Sequence, residues 1–498
     1  MAGKVYLVGA GPGDYKLITL RGMECIREAD VIVYDRLANP QLLKDAKENC
    51  EFIYVGKKSS DHTKTQDEIN DIICEEAKKG KIVTRLKGGD PYVFGRGGEE
   101  GEYLFDRGIE FEVVPGITSA IGGLCYAGIP ITHRECASSF HVITGHLKEG
   151  ELDLEWEALA KVRGTLVFLM GMSNLNAICK NLISNGKSKD TPVAIVNWAA
   201  RPYQRVGIGT LKNIIEVVER EKLSSPSLIV VGEVANLREK LNFYENKPLF
   251  SKNVIVTRAR AQSSDLLEKL NYLGANTLEL PTIKINEITP KNKLDDAINN
   301  IEGYNYVIFT SENGVSVFFN RLKELRFDSR KLCNSKIVAI GKGTAEALEN
   351  RGIVADIIPE RFVGESVVEE LRPLLSKDDK ILVPRAKEAR KLIVDELSKI
   401  CNVQEVHVYE TVHGQGSREE LVEFLDNENE AYITFTSSST VKNFMSILPE
   451  NKDEILRKLK IISIGPITSK TIKEYGLEIY KEAEEYTIDG ILCSIINL

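Results

Sequence analysis

The chain of 498 residues has few cysteines and no long apolar run. Its nine cysteines are scattered without a C-x-x-C pair or a Cys/His cluster, so neither a zinc site nor a disulfide framework is indicated. The longest apolar runs, such as Leu166–Met172, are far shorter than the roughly 20 residues of a membrane helix. A net charge of -8 argues against nucleic acid as a general partner. These absences predict a cytoplasmic protein with no metal, nucleic-acid or membrane partner.

What the chain does have is the composition of a soluble globular protein, with 43% hydrophobic and 28% charged residues. Strand-like runs alternate with amphipathic helical stretches up to the end, which predicts α/β layers with largely parallel sheets. A short polar segment at 246–252 interrupts the pattern, and an unrelated pattern begins at Asn253. We therefore predict two parts, 1–245 and 253–498, joined by a linker at 246–252.

Two turns in the first part are built for close contact with a ligand. A strand pattern at Lys81–Leu86 runs into Gly88-Gly89-Asp90, where two residues without Cβ let the backbone approach a bound group. A second strand pattern, Phe111–Val114, ends in Pro115-Gly116, and the small residues that follow begin a helix. The spacing predicts two neighbouring turns that face one ligand.

A glycine-rich turn at residues 9–14 follows the first strand, and an acidic residue, Asp35, follows the second. This order is similar to the dinucleotide-binding fingerprint, in which glycines approach the pyrophosphate and an acidic group holds a ribose hydroxyl. Here the third glycine comes one residue too early, and Pro12 lies inside the turn. Both features count against a nicotinamide site.

Residues 81–134, the GxGPGD turn and the YDRL run at 34–37 together resemble the uroporphyrinogen-III C-methyltransferases of the tetrapyrrole methylase family. The resemblance implies a two-lobed methylase fold, S-adenosylmethionine as the methyl donor and a homodimer formed through this half. It departs at Asn197-Trp198-Ala199-Ala200, where relatives often have Gly-Thr. The positions that it implies for the cofactor are Pro12, Gly88, Gly89, Asp90, Val93, Thr118, Ser119 and Met170, with Ala199 and Ser227 by a looser alignment.

The same resemblance implies Asp35 as proton acceptor and Lys57 as proton donor, because methylation leaves the tetrapyrrole with a proton to lose. Positioning of a charged substrate is an alternative role for both residues. Three arginines that flank the two turns are candidates to hold substrate carboxylates, with structural ion pairs as the alternative. Asp90 is expected either to pair with the amino group of the cofactor or to cap its turn. The three arginines are Arg85, Arg96 and Arg134.

The second part contains an internal repeat. The run that ends in Thr310-Ser311 recurs 126 residues later at Thr436-Ser437, and the strand that ends at Gly341 recurs 124 residues later at Gly465. A third pair ends in Arg258 and Arg385. Ordered matches at nearly one spacing predict two similar α/β lobes.

This part resembles uroporphyrinogen-III synthase across about residues 253–498, through TRARAQSSDL, FTSENGV, AIGKGTAEAL, VHVYETV, FTSSST and SIGPITSKTI. The resemblance implies a first lobe from about 253–283 and 412–498, a second from about 284–411, and a substrate cleft between them. It implies Tyr409 as general acid, with a packed structural tyrosine as the alternative, and no cofactor. Helix starts that face the cleft are expected to bind substrate carboxylates. The expected contacts are Ser311, Thr344, Ser437, Ser439 and Thr468.

Together the resemblances imply a bifunctional enzyme, since the product of the second half is the substrate of the first. It would cyclise hydroxymethylbilane to uroporphyrinogen III and methylate that product twice to precorrin-2. A methylase of a later corrinoid intermediate, fused to a non-catalytic two-lobed binding module, is the alternative. Whether the pathway ends in sirohaem, cobalamin or haem stays open.

Overall fold

A computed structural model describes residues 3–56, 64–145, 154–258, 260–359, 364–413, 418–425, 430–448 and 452–497. The described chain divides into two compact units, residues 1–252 with 270–276 and residues 253–269 with 277–498. Each unit contains two five-stranded sheets. No described helix combines the length and the apolar character needed to cross a bilayer.

The strands of the first unit are β1 (Lys4–Gly9), β2 (Val31–Tyr34), β3 (Glu51–Tyr54), β4 (Ile82–Lys87), β5 (Glu110–Val114), β6 (Phe140–Thr144), β7 (Thr165–Leu169), β8 (Pro192–Asn197), β9 (Arg205–Thr210) and β10 (Ser227–Val231). Its α-helices are α1 (Leu20–Glu28), α2 (Gln66–Lys78), α3 (Gly97–Phe105), α4 (Ser119–Tyr126), α5 (Trp156–Lys161), α6 (Leu175–Ser184), α7 (Ile214–Arg220) and α8 (Arg238–Leu241).

The first sheet has the strand order β3-β2-β4-β1-β5, and all its pairs are parallel. Its strands are apolar on both faces because helices cover both sides. Val5 and Leu7 pack in one core, whereas Tyr6 and Val8, which point the other way, pack in a second. The carboxyl ends of β1, β2, β4 and β5 therefore lie at one edge of the sheet, where the glycine turns and Asp35 follow them.

The second sheet has the order β6-β7-β10-β8-β9 and is mixed. β6 and β7 are parallel, but β10 runs antiparallel to both β7 and β8, and β8 runs antiparallel to β9. The expectation of largely parallel sheets is wrong for this one. Its strands carry apolar residues into a core on each face, and a strand buried on both faces has the same hydrophobic pattern in either direction.

The strands of the second unit are β11 (Asn253–Val256), β12 (Asn276–Glu279), β13 (Ile283–Glu287), β14 (Tyr306–Phe309), β15 (Lys336–Ala339), β16 (Lys380–Ala386), β17 (Asn402–His413), β18 (Ala431–Phe435), β19 (Leu459–Ser463) and β20 (Lys481–Glu482). The helices are α9 (Arg260–Tyr272), α10 (Asn292–Asn299), α11 (Glu312–Glu324), α12 (Lys342–Glu349), α13 (Gly364–Leu371), α14 (Leu392–Leu397), α15 (Arg418–Leu425), α16 (Ser438–Ile447), α17 (Lys452–Arg457), α18 (Pro466–Glu474) and α19 (Ile488–Ile496).

Two sheets of five strands form this second unit. The order β12-β11-β18-β19-β20 defines lobe 1, and the order β13-β17-β16-β14-β15 defines lobe 2. β13 runs antiparallel to β17, while β17, β16, β14 and β15 pair in parallel. The chain thus leaves lobe 1 after β12, completes lobe 2, and returns to lobe 1 after β17. The two-lobed α/β architecture expected for this half is confirmed.

Candidate functional site

A cleft of about 580 Å³ lies in the first unit at the carboxyl edge of its first sheet. This is the edge at which parallel α/β sheets commonly bind ligands, and the volume lies within the range of small-molecule sites. Residues of the second sheet complete the wall. All ten positions implied for the cofactor line this cleft, namely Pro12, Gly88, Gly89, Asp90, Val93, Thr118, Ser119, Met170, Ala199 and Ser227.

Three turns meet backbone to backbone beside the cleft, which Gly11 and Gly89 line. Gly11 and Gly89 exchange two backbone hydrogen bonds, of 3.2 and 2.8 Å. A Cβ on Gly116 would lie 2.3 Å from the carbonyl oxygen of Gly89, and one on Gly9 would lie 2.5 Å from the Cα of Gly116. These glycines are needed because no other residue permits such close approach.

Asp90 joins two of these turns through its carboxylate. One oxygen accepts the backbone N–H of Tyr92 at 2.8 Å, and the other accepts that of Gly116 at 2.9 Å. The structure therefore contains the turn-capping contact that was one of the two expected roles. Each carboxylate oxygen has two lone pairs, so both keep capacity for a further donor.

Several residues around the cleft hold backbone conformations that are rare for side chains with a Cβ. Phe94, Arg96, Met170 and Trp198 line the cleft with φ of 54°, 60°, 55° and 47°, and the neighbouring Ala200 has 60°. Such conformations cost about 1–3 kcal/mol each and persist where the surroundings hold them. The wall of the cleft is therefore fixed by backbone geometry as well as by side chains.

Four charged side chains form a row that we call the ion chain: Asp35, Arg85, Glu100 and Lys87. All of them line the cleft except Glu100, which is fully buried. The Arg85 guanidinium lies 3.2 Å from Asp35 and 3.3 Å from Glu100. It also donates to the backbone carbonyls of Val33 and Leu86, and its side chain is only 4% exposed. Arg85, expected as a candidate to bind substrate carboxylates, is thus engaged in the structural ion pairs that were the alternative.

Lys87 ends the ion chain on the other side. Its side-chain nitrogen lies 2.7 Å from Oε1 of Glu100, which also accepts from Gln66 at 3.2 Å. Oε2 of Glu100 has no hydrogen-bond partner among the described residues. Burial and the neighbouring Arg85 lower the pKa of Lys87, against the opposing effect of Glu100. Neither Lys87 nor Glu100 was predicted from the sequence, although Lys87 lies two residues after Arg85 and hence on the same face of β4.

The other predicted charges have different surroundings. Arg96 lines the cleft and pairs with the exposed Glu99 at 2.9 Å. Arg134 is exposed and is not among the residues that line the cleft. Lys57 lies outside the described residues. Arg201, which the sequence did not indicate, also lines the cleft; burial lowers its pKa.

In the second unit, Tyr409 lies on β17 and is almost fully buried. Its hydroxyl is 3.0 Å from the hydroxyl of Ser311. Burial raises the pKa of Tyr409, and hydrogen bonds with Ser311 and Asn313 act in the opposite direction. Ser311 also caps α11 by accepting the backbone N–H of Gly314 at 3.1 Å.

The internal repeat reappears in the structure of the two lobes. Ser437 caps α16 in lobe 1 by accepting the N–H of Thr440 at 3.3 Å, as Ser311 caps α11 in lobe 2. The hydroxyls of Ser437 and Ser439 lie 2.9 Å apart. Each of these helices begins directly after a parallel strand, so the two capped ends occupy equivalent edges of the two sheets.

Thr344 and Thr468 occupy equivalent positions as well. Each is the third residue of its helix, α12 or α18, and each helix follows a glycine, Gly341 or Gly465, that ends the preceding strand turn. Both threonines are buried. The described structure therefore places every predicted contact of this unit at the carboxyl edge of one of its two sheets.

Comparisons with known proteins match both units. Residues 4–215 match the model of the tetrapyrrole (corrin/porphyrin) methylases, and residues 264–493 match that of uroporphyrinogen-III synthase HemD. The chain is 41% identical over 498 residues to a porphyrin biosynthesis protein HemD of Ruminiclostridium josui, which covers the whole chain and 98% of that relative. The chain belongs to the family in which a tetrapyrrole methylase is fused to a uroporphyrinogen-III synthase.

The methylase half also has relatives that consist of this half alone. It is 54% identical over 235 residues to a uroporphyrinogen-III C-methyltransferase of Priestia megaterium, covering 47% of this chain and 99% of that protein. It is 39% identical to a solved uroporphyrin-III C-methyltransferase of Thermus thermophilus complexed with S-adenyl homocysteine, with a TM-score of 0.41 over 47% of this chain and 100% of that one. The protein is a bifunctional enzyme of tetrapyrrole biosynthesis.

Two arginines of the synthase half lie at matching strand ends, as the repeat predicts. Arg258 follows β11 in lobe 1 and pairs at 3.0 Å with Glu312, the first residue of α11 in lobe 2. Arg385 lies within β16 of lobe 2 and is almost completely buried. Its Nη2 donates to the carbonyl of Arg390, and its Nε lies 3.5 Å from the carboxylate of Glu405, although neither Nε nor Nη1 has a hydrogen-bond partner in the described chain.

Proposed function

We propose that the synthase half closes hydroxymethylbilane to uroporphyrinogen III and that the methylase half then methylates this product twice with S-adenosylmethionine to give precorrin-2. One observation supports the assignment of the methylase half: all ten implied cofactor positions lie around the same cleft, together with Asp35. The relatives named as uroporphyrinogen-III C-methyltransferase and HemD support the pairing of the two reactions.

The residues of the methylase cleft fit S-adenosylmethionine. The glycine turns leave room for a bound group to approach the backbone closely, Asp90 keeps acceptor capacity for an amino group, and the volume suits a small molecule. When bound, the cofactor supplies an electrophilic methyl group. The task of the chain is then to orient donor and acceptor for an in-line displacement, which needs no covalent enzyme intermediate. Met170, whose backbone is in the left-handed conformation, lies in the wall of the cleft and helps to fix this orientation.

Proton transfer and substrate recognition are assigned to charged groups near the cleft. Asp35 accepts the proton that the methylated ring loses, and Lys57 acts as proton donor. Arg96 and Arg134 hold carboxylates of the tetrapyrrole, for which a guanidinium has the right two-pronged geometry. Arg85 acts on the substrate indirectly, because its ion pair at 3.2 Å holds Asp35 in position.

In the synthase half, Tyr409 donates its proton to the departing hydroxyl group of the linear substrate. Ser311, 3.0 Å from the Tyr409 hydroxyl, holds the phenol in place. The helix starts at Thr344, Thr468 and Ser437, with Ser439, bind substrate carboxylates through their N–H groups and positive dipole ends. No cofactor takes part in this half.

Incubation of the purified protein with hydroxymethylbilane tests both assignments. Without S-adenosylmethionine we expect the type III cyclic isomer, and with it a product heavier by two methyl groups. Tetrapyrrole binding without turnover would indicate a non-catalytic binding module in the second half. Cyclisation without methylation, together with methyl transfer to a later corrinoid, would contradict the assigned methyl acceptor.

We further propose that residues 1–245 and 253–498 are separate domains joined by 246–252, and that the methylase half forms a homodimer. The separate domains are supported by the relative that contains the methylase half alone, and the homodimer by the resemblance to the methylase family. Light scattering at micromolar concentration is expected to give twice the mass of 55.5 kDa. A mass equal to that of one chain would contradict the dimer.

A further inference from the structure

Lys87 is a buried amine of the methylase cleft whose role the proposed reaction leaves unassigned. It is the last residue of β4, it lines the cleft, and its side chain is only 5% exposed. The charged groups that act on it are Arg85 on its own strand, Glu100 on α3 and Asp35 after β2. A lysine in such surroundings is costly to bury, because burial disfavours its charged form.

Two carboxylates line the cleft, Asp35 and Asp90, and Asp90 already accepts two backbone N–H groups. Arg85, Arg96 and Arg201 also line the cleft, but a guanidinium does not give up or take a proton at neutral pH. Asp35 lies at one end of the ion chain and Lys87 at the other, and both line the cleft. Burial and Arg85 lower the pKa of Lys87, against the opposing effects of Glu100 and Asp35.

We propose that Lys87 is a second general base of the methylase cleft and that Glu100 is the positioning residue that holds the ammonium formed on it. The inference rests on the proposed methyl transfer. When the substrate carbon bonds to the methyl group, the carbon–sulfur bond of the donor breaks with its electron pair on sulfur, and the ring becomes cationic. A ring N–H or C–H bond then breaks, its electron pair stays in the ring, and the proton joins the neutral Lys87 amine.

The contacts of Glu100 suit this role. Its side chain is fully buried, and its Oε1 receives Lys87 at 2.7 Å, Gln66 at 3.2 Å and Arg85 at 3.3 Å. Three donors thus converge on one oxygen, so the negative charge lies beside the nitrogen that gains the proton. Two methylations release two protons, and the ion chain presents one proton acceptor at each end.

Removal and replacement of the amine test the proposal. Lys87→Ala is expected to lower single-turnover methyl transfer by about 10²-fold or more, the usual scale for a positioned base. Ethylamine, small enough for the space left, is expected to restore the rate in proportion to its free-base concentration, so that the restored rate rises with pH through the pKa of the added amine. Lys78→Ala, on the exposed side of α2, serves as the matched control and is expected to keep the parent rate.

Lys87→Arg keeps the positive charge but cannot act as a base at neutral pH, so it is expected to be as slow as Lys87→Ala. Binding of S-adenosylhomocysteine, measured by calorimetry, is expected to stay within about threefold of the parent in both variants, which reports an intact cleft. A parent-like rate in Lys87→Arg would overturn the proposal. Lost activity in Lys87→Ala that no amine restores, with cofactor binding intact, would also overturn it.

Glu100→Gln removes the negative charge and keeps the shape, and Glu102→Gln on the exposed face of the same helix is its control. Glu100→Gln is expected to move the acidic limb of the pH profile to lower pH, because loss of the anion makes the ammonium less stable. An unmoved limb would contradict the positioning role. Failure of the proposed function is distinguishable, since the parent protein would then transfer no methyl group at any pH.

Discussion

The hydroxyl groups of Tyr409 and Ser311 lie 3.0 Å apart, and Ser311 at the same time caps α11. The serine side chain is fixed by the helix start, so it holds the phenol in one orientation. The two residues are separated by 98 positions in the sequence, and parallel pairing of β14, β16 and β17 brings them together. A helix start thereby positions the proposed general acid.

Tyr409→Phe is expected to slow ring closure by about 10²-fold, the usual contribution of a positioned acid, and to leave methyl transfer unchanged. Formation of type III isomer from hydroxymethylbilane measures the first, and methylation of supplied uroporphyrinogen III measures the second. Tyr480→Phe, an exposed tyrosine of the same half, is the control. Type III isomer formed at the parent rate by Tyr409→Phe would remove Tyr409 from the mechanism.

The pH dependence of ring closure follows from the same residue. The protonated phenol is the active form, and burial raises its pKa above the ordinary value of about 10. Because a raised pKa keeps the proton on the phenol to higher pH, we expect no alkaline loss of ring closure below about pH 10. A profile that falls between pH 8 and 9 while the protein stays folded would contradict Tyr409 as the acid.

Asp35→Asn is expected to reduce methyl transfer by about 10²-fold or more, because the amide cannot accept the proton. The amide also leaves Arg85 without one of its two carboxylate partners. Ring closure in the other half should continue at the parent rate. The exposed Asp106→Asn is the matched control. Methylation of uroporphyrinogen III by Asp35→Asn at the parent rate would exclude Asp35 as proton acceptor.

Gly116→Ala is expected to destabilise the methylase half by about 2 kcal/mol or more, the scale of overpacking. Its Cβ would lie 2.3 Å from a backbone oxygen, which no side-chain movement can relieve. Gly98→Ala is the contrasting change, since nothing lies within 4 Å of its Cβ and it lies in α3. We expect Gly98→Ala to stabilise by about 0.5 kcal/mol through helix propensity. Urea unfolding distinguishes the two, and equal effects would contradict the backbone contact.

Both tryptophans of the chain, Trp156 and Trp198, belong to the methylase half, so their fluorescence follows the unfolding of that half. S-adenosylhomocysteine at about 1,000 times its Kd is expected to raise the free energy of unfolding seen by this signal by about 4 kcal/mol. Ring-closing activity should be lost at the same urea concentration with and without the ligand. A shift in both signals would show that the two halves unfold together.

The sequence indicated the turns of the methylase cleft because they depend on local rules. Glycines at 88, 89 and 116 follow strand patterns directly, and the structure places them at one edge of a sheet. The repeat in the second half likewise predicted two lobes. The direction of β10 was not predictable, since its apolar residues are buried whichever way the strand runs.

The ion chain was not foreseen for a related reason. Arg85 has the side chain of a carboxylate-binding residue, and nothing within a few positions of it shows that Asp35 and Glu100 occupy its donors. Such pairing depends on which helix packs over which strand, information that spacing alone does not contain. Lys87 and Glu100 can be recognised as members of the ion chain only from the structure, in which α3 lies beside β4.

Four residues that line the methylase cleft, Phe94, Arg96, Met170 and Trp198, hold left-handed backbone conformations. Glycine or asparagine adopts such conformations at lower cost. A laboratory selection for heat resistance alone is therefore expected to enrich glycine and asparagine at these four positions early. A selection that also requires turnover should retain the original residues. Positions that differ between the two selections would then be those at which the shape of the cleft lowers the stability of the protein.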